Sequence, residues 1–500
     1  MNHSAQSIRR SGILMHISSL PGPEGIGSLG QEAFDFADAL SAAGCSLWQV
    51  LPCCPTGYGE SPYQSPSVFA GNPLFISTQR LILEGILHPP AAMQTELPQT
   101  EKVDFEAVRV FKEKLLREAF RQSAASLQDE IDRFARDNPW VHDYSLFTAL
   151  KAHFGGVKYA DWPDRGLRFR KRASIHKAEE ELQEEISYHT FVQYLFFRQW
   201  QALRRYCHDL GILLFGDMPI YVAEDSADVW VHPDIFQLDS KRIPKRVAGV
   251  PPDYFSEDGQ LWGNPLYRWN WLRYFHRYDW WVARMRHMQH MYDLIRIDHF
   301  IGFANYWSVK HGEPTARYGK WVPGPGKSLF ERFNRELKDL HIVAEDLGEI
   351  NDSVLSLLAF TGYPGMRVLS YGFGGGSDNM HHPDNLKKNA VVYTGTHDND
   401  TLRSWLEHAS PEEQTNLRKL WPYETIDEGI EAMVRGAFES PCDACVIPMQ
   451  DLLGLGGEAR MNLPGTVGGN WLWRMRSGAF TPQLIARIHK LNSDSGRLKR

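Results

Sequence analysis

The chain has 500 residues, enough for about three ordinary domains or for one barrel carrying large insertions. It is 43% hydrophobic and 23% charged with a net charge of −7, acids and bases interspersed, which excludes a basic nucleic-acid surface and fits an ordinary globular protein. Six cysteines make no disulfide framework, no stretch approaches the roughly 18 apolar residues of a membrane span, and the short run Ile13 to Met15 makes no secretory signal. The expected setting is therefore a reducing cytoplasm, with no membrane or nucleic-acid partner.

Gly12 to Leu20 reads as a first buried strand, followed by a Pro/Gly-rich loop. Ser28 to Gln31 has capping-box spacing and predicts a helix from Gln31 to Ala43, closed by Gly44. Leu47 to Pro52 is a second strand, so the opening is strand, helix, strand, the order of a parallel α/β pair. The long loop after it carries Gly, Pro, Ser and the aromatics Tyr58, Tyr63, Phe69 and Phe75, and such a loop is functional more often than structureless. From about Gln79 to Cys207 charge rises and helical periodicity appears, as in Phe105, Val108, Phe111 and Leu115, Ala119. The division this predicts is 1–78 for the start of a barrel and its active-site loop, 79–205 for a mostly helical insertion, and 206–500 for the rest of the barrel.

Strand-like runs then return at Ile212–Asp217, Leu294–Phe300, Ile342–Asp346, Met366–Leu369, Ala390–Asp398 and Ala444–Asp451. Asn351 is placed to cap a helix that stops at Gly362. With the first two, that makes eight short apolar runs, most of them separated by helix-like segments, which is the arithmetic of a (β/α)8 TIM barrel with large helical and loop insertions. Acids gather at the C-terminal ends of the runs: Asp217, Asp298, Glu345 with Asp346, Asp398 and Asp451. Active sites of such barrels sit on that face, and acids at this many strand ends predict one shared site.

Within Asp293–Phe300, alternation turns Ile295 and Ile297 one way and Arg296 and Asp298 the other. A guanidinium so near favours the ionised carboxyl, so Asp298 is expected to be a permanent anion fit for nucleophilic attack. Glu345 follows Val343 and Ala344 in an apolar strand, where burial favours the protonated form, although alternation alone leaves open whether Glu345 or Asp346 faces the mouth. An ionised and a protonated carboxyl at one mouth suit glycoside chemistry, and acids with a His also suit an oxygen-and-imidazole metal site. Phosphate-binding and dinucleotide fingerprints fail: Gly324-Pro-Gly-Lys327-Ser328 has Trp321 where the pattern needs glycine. Cys442-x-x-Cys445 has no second pair at zinc spacing, and reduced core thiols are expected there.

The sequence resembles the amylomaltase, or 4-α-glucanotransferase, family of retaining barrel enzymes related to the α-amylase group. The motifs that carry it are GILMHISSLPGPEGIGSLG, LWQVLP, GYGESPYQSPSVFAGNP, GDMPIYV, PPDYFSEDGQLWGNPLY, RIDHF, AEDLG, GYPGMRVL, TGTHDNDT, QDLLGLGGEARMNLPGT and GNWLWR. It implies Asp298 as nucleophile, Glu345 rather than Asp346 as general acid/base, and Asp398 as transition-state stabiliser through sugar hydroxyls, helped by His397 and Arg296. It implies Asp217 in contact with the donor sugar, Tyr63, Ser61 and Asn462 on the donor side, and Tyr254, Phe255 and Trp262 over the acceptor side. No metal, nucleotide or other cofactor is implied, and the expected partners are malto-oligosaccharides and linear α-1,4-glucans. The SPCDACVIP run departs from the family pattern and is expected to concern packing. The carboxyls themselves do not separate a transferase from a plain α-glucan hydrolase, because water and a sugar hydroxyl attack the same intermediate. A non-catalytic glucan-binding barrel is the further alternative, opposed by the presence of all three carboxyls.

Overall fold

The computed structural model describes residues 9–91, 93, 96–252, 256–348 and 350–498. Eight parallel strands close into a barrel: β1 (Arg10–Leu14), β2 (Leu47–Gln49), β3 (Leu213–Pro219), β4 (Leu294–Asp298), β5 (Ile342–Ala344), β6 (Gly365–Val368), β7 (Ala390–Tyr393) and β8 (Ala444–Pro448). Each falls within or overlaps one of the eight predicted runs. Six of the eight strands are shorter than their runs, which continue past the last ladder bond into loops; Leu213–Pro219 is one residue longer than its run and Gly365–Val368 equals it in length. β8 closes the ring on β1, with Arg10 opposite Ala444 and Leu14 opposite Pro448.

The register decides which polar residues meet. On β3 and β4, Asp217 lies opposite Arg296 and Pro219 opposite Asp298. On β4 and β5, Ile297 lies opposite Ala344, which sets Glu345 one residue further along beside Asp298. Ile295 and Ile297 are buried under the outer helices, as the alternation of the strand requires. Gly216 on β3 lets the Tyr292 ring lie against the backbone; a Cβ there would come within 2.2 Å of that ring.

The segment between β2 and β3 is largely helical. Its longest helix, Gln183–Asp209, buries Tyr188, Phe191, Val192, Leu195, Phe196, Trp200, Leu203 and Cys207, a three-and-four spacing that lines one face. These residues belong to the same apolar core as the barrel strands. A buried ion pair ties the helix Phe105–Ser123 to the loop after β1: Lys112 donates to Glu24, which also accepts from the backbone N–H of Thr78 at 2.7 Å and Gln79 at 3.1 Å. Among the described residues no helix is long and apolar enough to cross a membrane.

Two details differ from expectation. The helix Gln31–Ala42 starts with Gly30 at its N-cap and no side-chain cap, so Ser28 does not form the capping box its spacing suggested. The Pro/Gly-rich segment Val247–Tyr267, which is not among the strand-like runs, carries strands. Arg246–Val250 and Gln260–Pro265 are strands of a four-stranded antiparallel sheet completed by Asn305–Lys310 and Lys320–Pro323, beside the barrel mouth. Gly249, Gly263 and the neighbouring prolines hide these strands from any period-two pattern. The expected cap at Asn351 is present: its side chain accepts from the N–H groups of Ser353 and Val354, and the helix ends at Gly362 with φ +66°.

Candidate active site

Arg296, 3% exposed, is the centre of the site. Its Nη1 donates to both oxygens of Asp217 at 2.8 and 2.7 Å, and its Nη2 reaches Asp298 Oδ1 at 2.9 Å. Tyr63 donates its hydroxyl to Asp217 Oδ2 at 2.7 Å and meets His397 Nε2 at 2.8 Å. Since the Tyr63 proton is committed to a carboxylate, its oxygen accepts from His397, which assigns the Nε2–H tautomer. Burial, the largest influence, lowers the His397 pKa against the pull of Asp398, so the ring is neutral. Tyr63 and His397 stack at 5.4 Å with an interplanar angle of 7°. The Ser61 hydroxyl accepts from the Tyr63 N–H at 3.2 Å and so fixes the turn that carries Tyr63.

Asp398, with 40% of its side chain exposed, opens to the mouth. Asn462 donates to its Oδ1 at 2.6 Å, and Arg460 holds its main-chain carbonyl at 2.8 Å. Glu345 accepts from the backbone N–H of His299 at 2.6 Å and of Leu347 at 2.9 Å. His299 has φ +51°, a left-handed conformation uncommon for a side-chain-bearing residue, which directs its N–H at that carboxyl. Asp346 turns away: it pairs with Arg367 at 3.0 Å and accepts from the Met366 N–H at 2.7 Å. Asp451 is likewise internal, accepting from Thr394 at 2.6 Å and from the Leu402 N–H at 2.7 Å. Trp262 packs edge-on against His299 at 4.9 Å. Tyr254 and Phe255 lie outside the described residues.

Two expectations change. Asp217 has a fully buried side chain with both oxygens engaged, so it reaches no donor sugar in this geometry; it positions Arg296 and Tyr63 instead. Nor is Asp298 a permanent anion on account of Arg296 alone. Burial pushes its pKa up first, Arg296 pulls it down, and Asp217, Glu345 and Asp398 push it up again. Burial also raises Glu345, against Arg296 and its two backbone donors. Both carboxyls therefore titrate above the ordinary carboxyl range, and lying side by side they lose their protons as a pair. The direct guanidinium contact and the 25% exposure of the Asp298 side chain favour its ionised form. Glu345 has no cation at bonding distance, which favours leaving the proton there.

The sign of the pH dependence follows. Chemistry that needs the Glu345 proton is lost as pH rises through the raised value. The alkaline limb of kcat/KM is expected well above the roughly pH 4.3 of a free glutamic acid. A pH–rate profile checks this, and an alkaline limb at ordinary carboxyl values would contradict it.

Arg460, His299 and the Leu347 N–H did not stand out in the sequence. Arg460 lies inside the GEARMN stretch, two residues before Asn462, and that neighbourhood was its only signal. A backbone donor has no residue signature at all. Cys442 and Cys445 are free, buried thiols within the core.

The 4-alpha-glucanotransferase family model matches residues 15–480. The 4-alpha-glucanotransferase of Clostridium butyricum is 42% identical over 97% of this chain and 100% of its own length. That of Thermus thermophilus is 44% identical over 98% of this chain and 99% of its own. Among solved structures, the amylomaltase from Streptococcus agalactiae in complex with acarbose superposes with a TM-score of 0.95 at 38% identity, covering 98% of this chain and 100% of that one. With the barrel, its carboxyl ring and these full-length matches together, the chain belongs to the 4-alpha-glucanotransferase family.

Proposed function

We propose that the protein transfers a segment of one α-1,4-glucan to the 4-hydroxyl of another by double displacement with retention at the anomeric carbon. The observation that supports the residue roles is the placement of Asp298, held by Arg296, beside Glu345, held by two backbone N–H groups, at the ends of adjacent strands. In the first step Asp298 attacks the anomeric carbon, the glycosidic C–O bond breaks, and the leaving oxygen takes the proton of Glu345. In the second, the acceptor 4-hydroxyl attacks that carbon, Glu345 takes the hydroxyl proton, and Asp298 is released. Asp398, steadied by Asn462 and close to neutral His397, is placed to hold hydroxyls of the reacting sugar and is exposed enough to do so. The substrates are α-glucans, from malto-oligosaccharides to linear chains.

The reading is tested by incubating the protein with maltotriose and following free glucose and total reducing ends together. Transfer produces glucose and longer oligosaccharides while reducing ends stay constant. Reducing ends that rise in step with glucose would make the protein a hydrolase.

Trp262 forms an apolar wall beside His299, where an acceptor chain would displace water. Trp262→Ala is expected to raise the ratio of hydrolysis to transfer by about tenfold, which is roughly 1.4 kcal/mol between the two competing transition states. An unchanged ratio would remove Trp262 from the acceptor side.

A further inference from the structure

The loop that carries His397 and Asp398 runs from the end of β7 to the helix Leu402–His408. One buried group staples both of its ends: Asp451 Oδ2 accepts from the Thr394 hydroxyl at 2.6 Å and Oδ1 from the Leu402 N–H at 2.7 Å. Its turn supports itself, since Asn399 Oδ1 accepts from the N–H and the hydroxyl of Thr396 at 2.8 and 2.9 Å. Ends and turn are thus held without Arg460. What these bonds leave open is the tilt of the turn, and with it the direction of the Asp398 carboxyl.

Arg460 bonds at that point. Its Nη2 donates to the Asp398 carbonyl and its Nε to the Asn462 carbonyl, both at 2.8 Å. The guanidinium therefore bridges the main chains of two residues whose side chains also meet, Asn462 Nδ2 donating to Asp398 Oδ1 at 2.6 Å. The Asn462 N–H closes the frame by donating to the His397 carbonyl at 3.1 Å. A planar fork holds two acceptors in one geometry, which an ammonium on a flexible stem does not. Among the described residues the nearest carboxylate contact of Arg460 is Asp400 Oδ2 at 3.9 Å, beyond hydrogen-bond reach. The cation grips carbonyls and leaves the Asp398 carboxyl uncovered. Asp398 Oδ2 has only a 3.4 Å approach from His397 Nε2, whose proton goes to Tyr63, so that oxygen stays available to a sugar hydroxyl.

We propose that Arg460 is a positioning residue for the transfer reaction: by clamping the main chain of Asp398 to that of Asn462, it aims the Asp398 carboxyl at the reacting sugar without touching the sugar itself. The proposal rests on the α-glucan reading above, in which Asp398 holds sugar hydroxyls.

The test is steady-state kinetics on maltotriose for wild type, Arg460→Ala and Arg460→Lys, each with and without millimolar guanidinium chloride. A misaimed carboxyl costs more in the transition state than in the ground state, so Arg460→Ala is expected to lose about 10²-fold in kcat with KM within about twofold. The lysine variant reaches one carbonyl but not both, and its expected loss in kcat is about tenfold. Free guanidinium fits the space of the deleted side chain and presents the same fork, so it is expected to raise kcat of Arg460→Ala about tenfold, saturably, and to leave wild type unchanged. Loosening of the fold would answer to no added cation. A kcat of Arg460→Ala within about twofold of wild type would overturn the proposal. So would a rise in KM at constant kcat, which would put Arg460 on the sugar, or an equal kcat loss in both variants without guanidinium rescue, which would make the residue a general structural support. Failure of the wild type to disproportionate maltotriose would instead overturn the α-glucan reading, and the proposal with it, so the two failures are distinguishable.

Discussion

Asp298→Asn is expected to lower turnover of maltotriose by at least about 10⁴-fold, or about 5.4 kcal/mol of transition-state stabilisation, while the protein stays folded. The amide is nearly isosteric, and its oxygen still accepts from Arg296 Nη2, now 2.9 Å from Asp298 Oδ1. Arg296 also keeps both bonds to Asp217, so the centre of the site is not left with a stranded charge. What is lost is the negative oxygen that forms the bond to the anomeric carbon. Steady-state rates with circular dichroism as the folding check decide the matter, and substantial retained activity would sink the nucleophile assignment.

Glu345→Gln separates the two half-reactions. With an ordinary glucan donor the leaving oxygen needs a proton, and the loss is expected to reach about 10³–10⁴-fold, toward the upper end for a positioned general acid. With an α-maltosyl fluoride the leaving fluoride needs none, so glucosylation of Asp298 proceeds and a burst of fluoride equal to the enzyme concentration appears. The following step then stalls, because no base takes the acceptor proton. Azide, which attacks without losing a proton, is expected to restore turnover. The variant leaves one of the two N–H groups of His299 and Leu347 facing an amide N–H₂, a local cost of about 1–3 kcal/mol that the burst amplitude is insensitive to. Absence of both burst and azide rescue would remove Glu345 from the acid/base role.

The eight strands were legible because buried parallel strands are short apolar runs, and their polar ends mark the face on which the site forms. The carboxyls Asp298, Glu345 and Asp398 could be read from strand ends, and the family motifs chose Glu345 over Asp346. Register could not be read. Only the pairing of Asp217 with Arg296 across β3 and β4 shows that Asp217 is consumed in holding the guanidinium. The same limit explains the overestimate of Arg296 as a guarantor of charge on Asp298. The pairing was visible along one strand, but the opposing carboxyls Asp217, Glu345 and Asp398 come from three other segments. One of the two N–H donors to Glu345 depends on a left-handed His299, and a histidine carries no advance notice of that. The small sheet escaped because Gly and Pro interrupt its first two strands, Arg246–Val250 and Gln260–Pro265, and because Asn305–Lys310 pairs with Arg246–Val250, distant in sequence.

The most direct measurement is to react Glu345→Gln with α-maltosyl fluoride, quench in acid, digest, and locate the sugar adduct by mass spectrometry. Double displacement through Asp298 predicts a maltosyl ester on the peptide that contains Asp298 and on no other. An adduct on a different carboxyl, or fluoride release without any adduct, would contradict it.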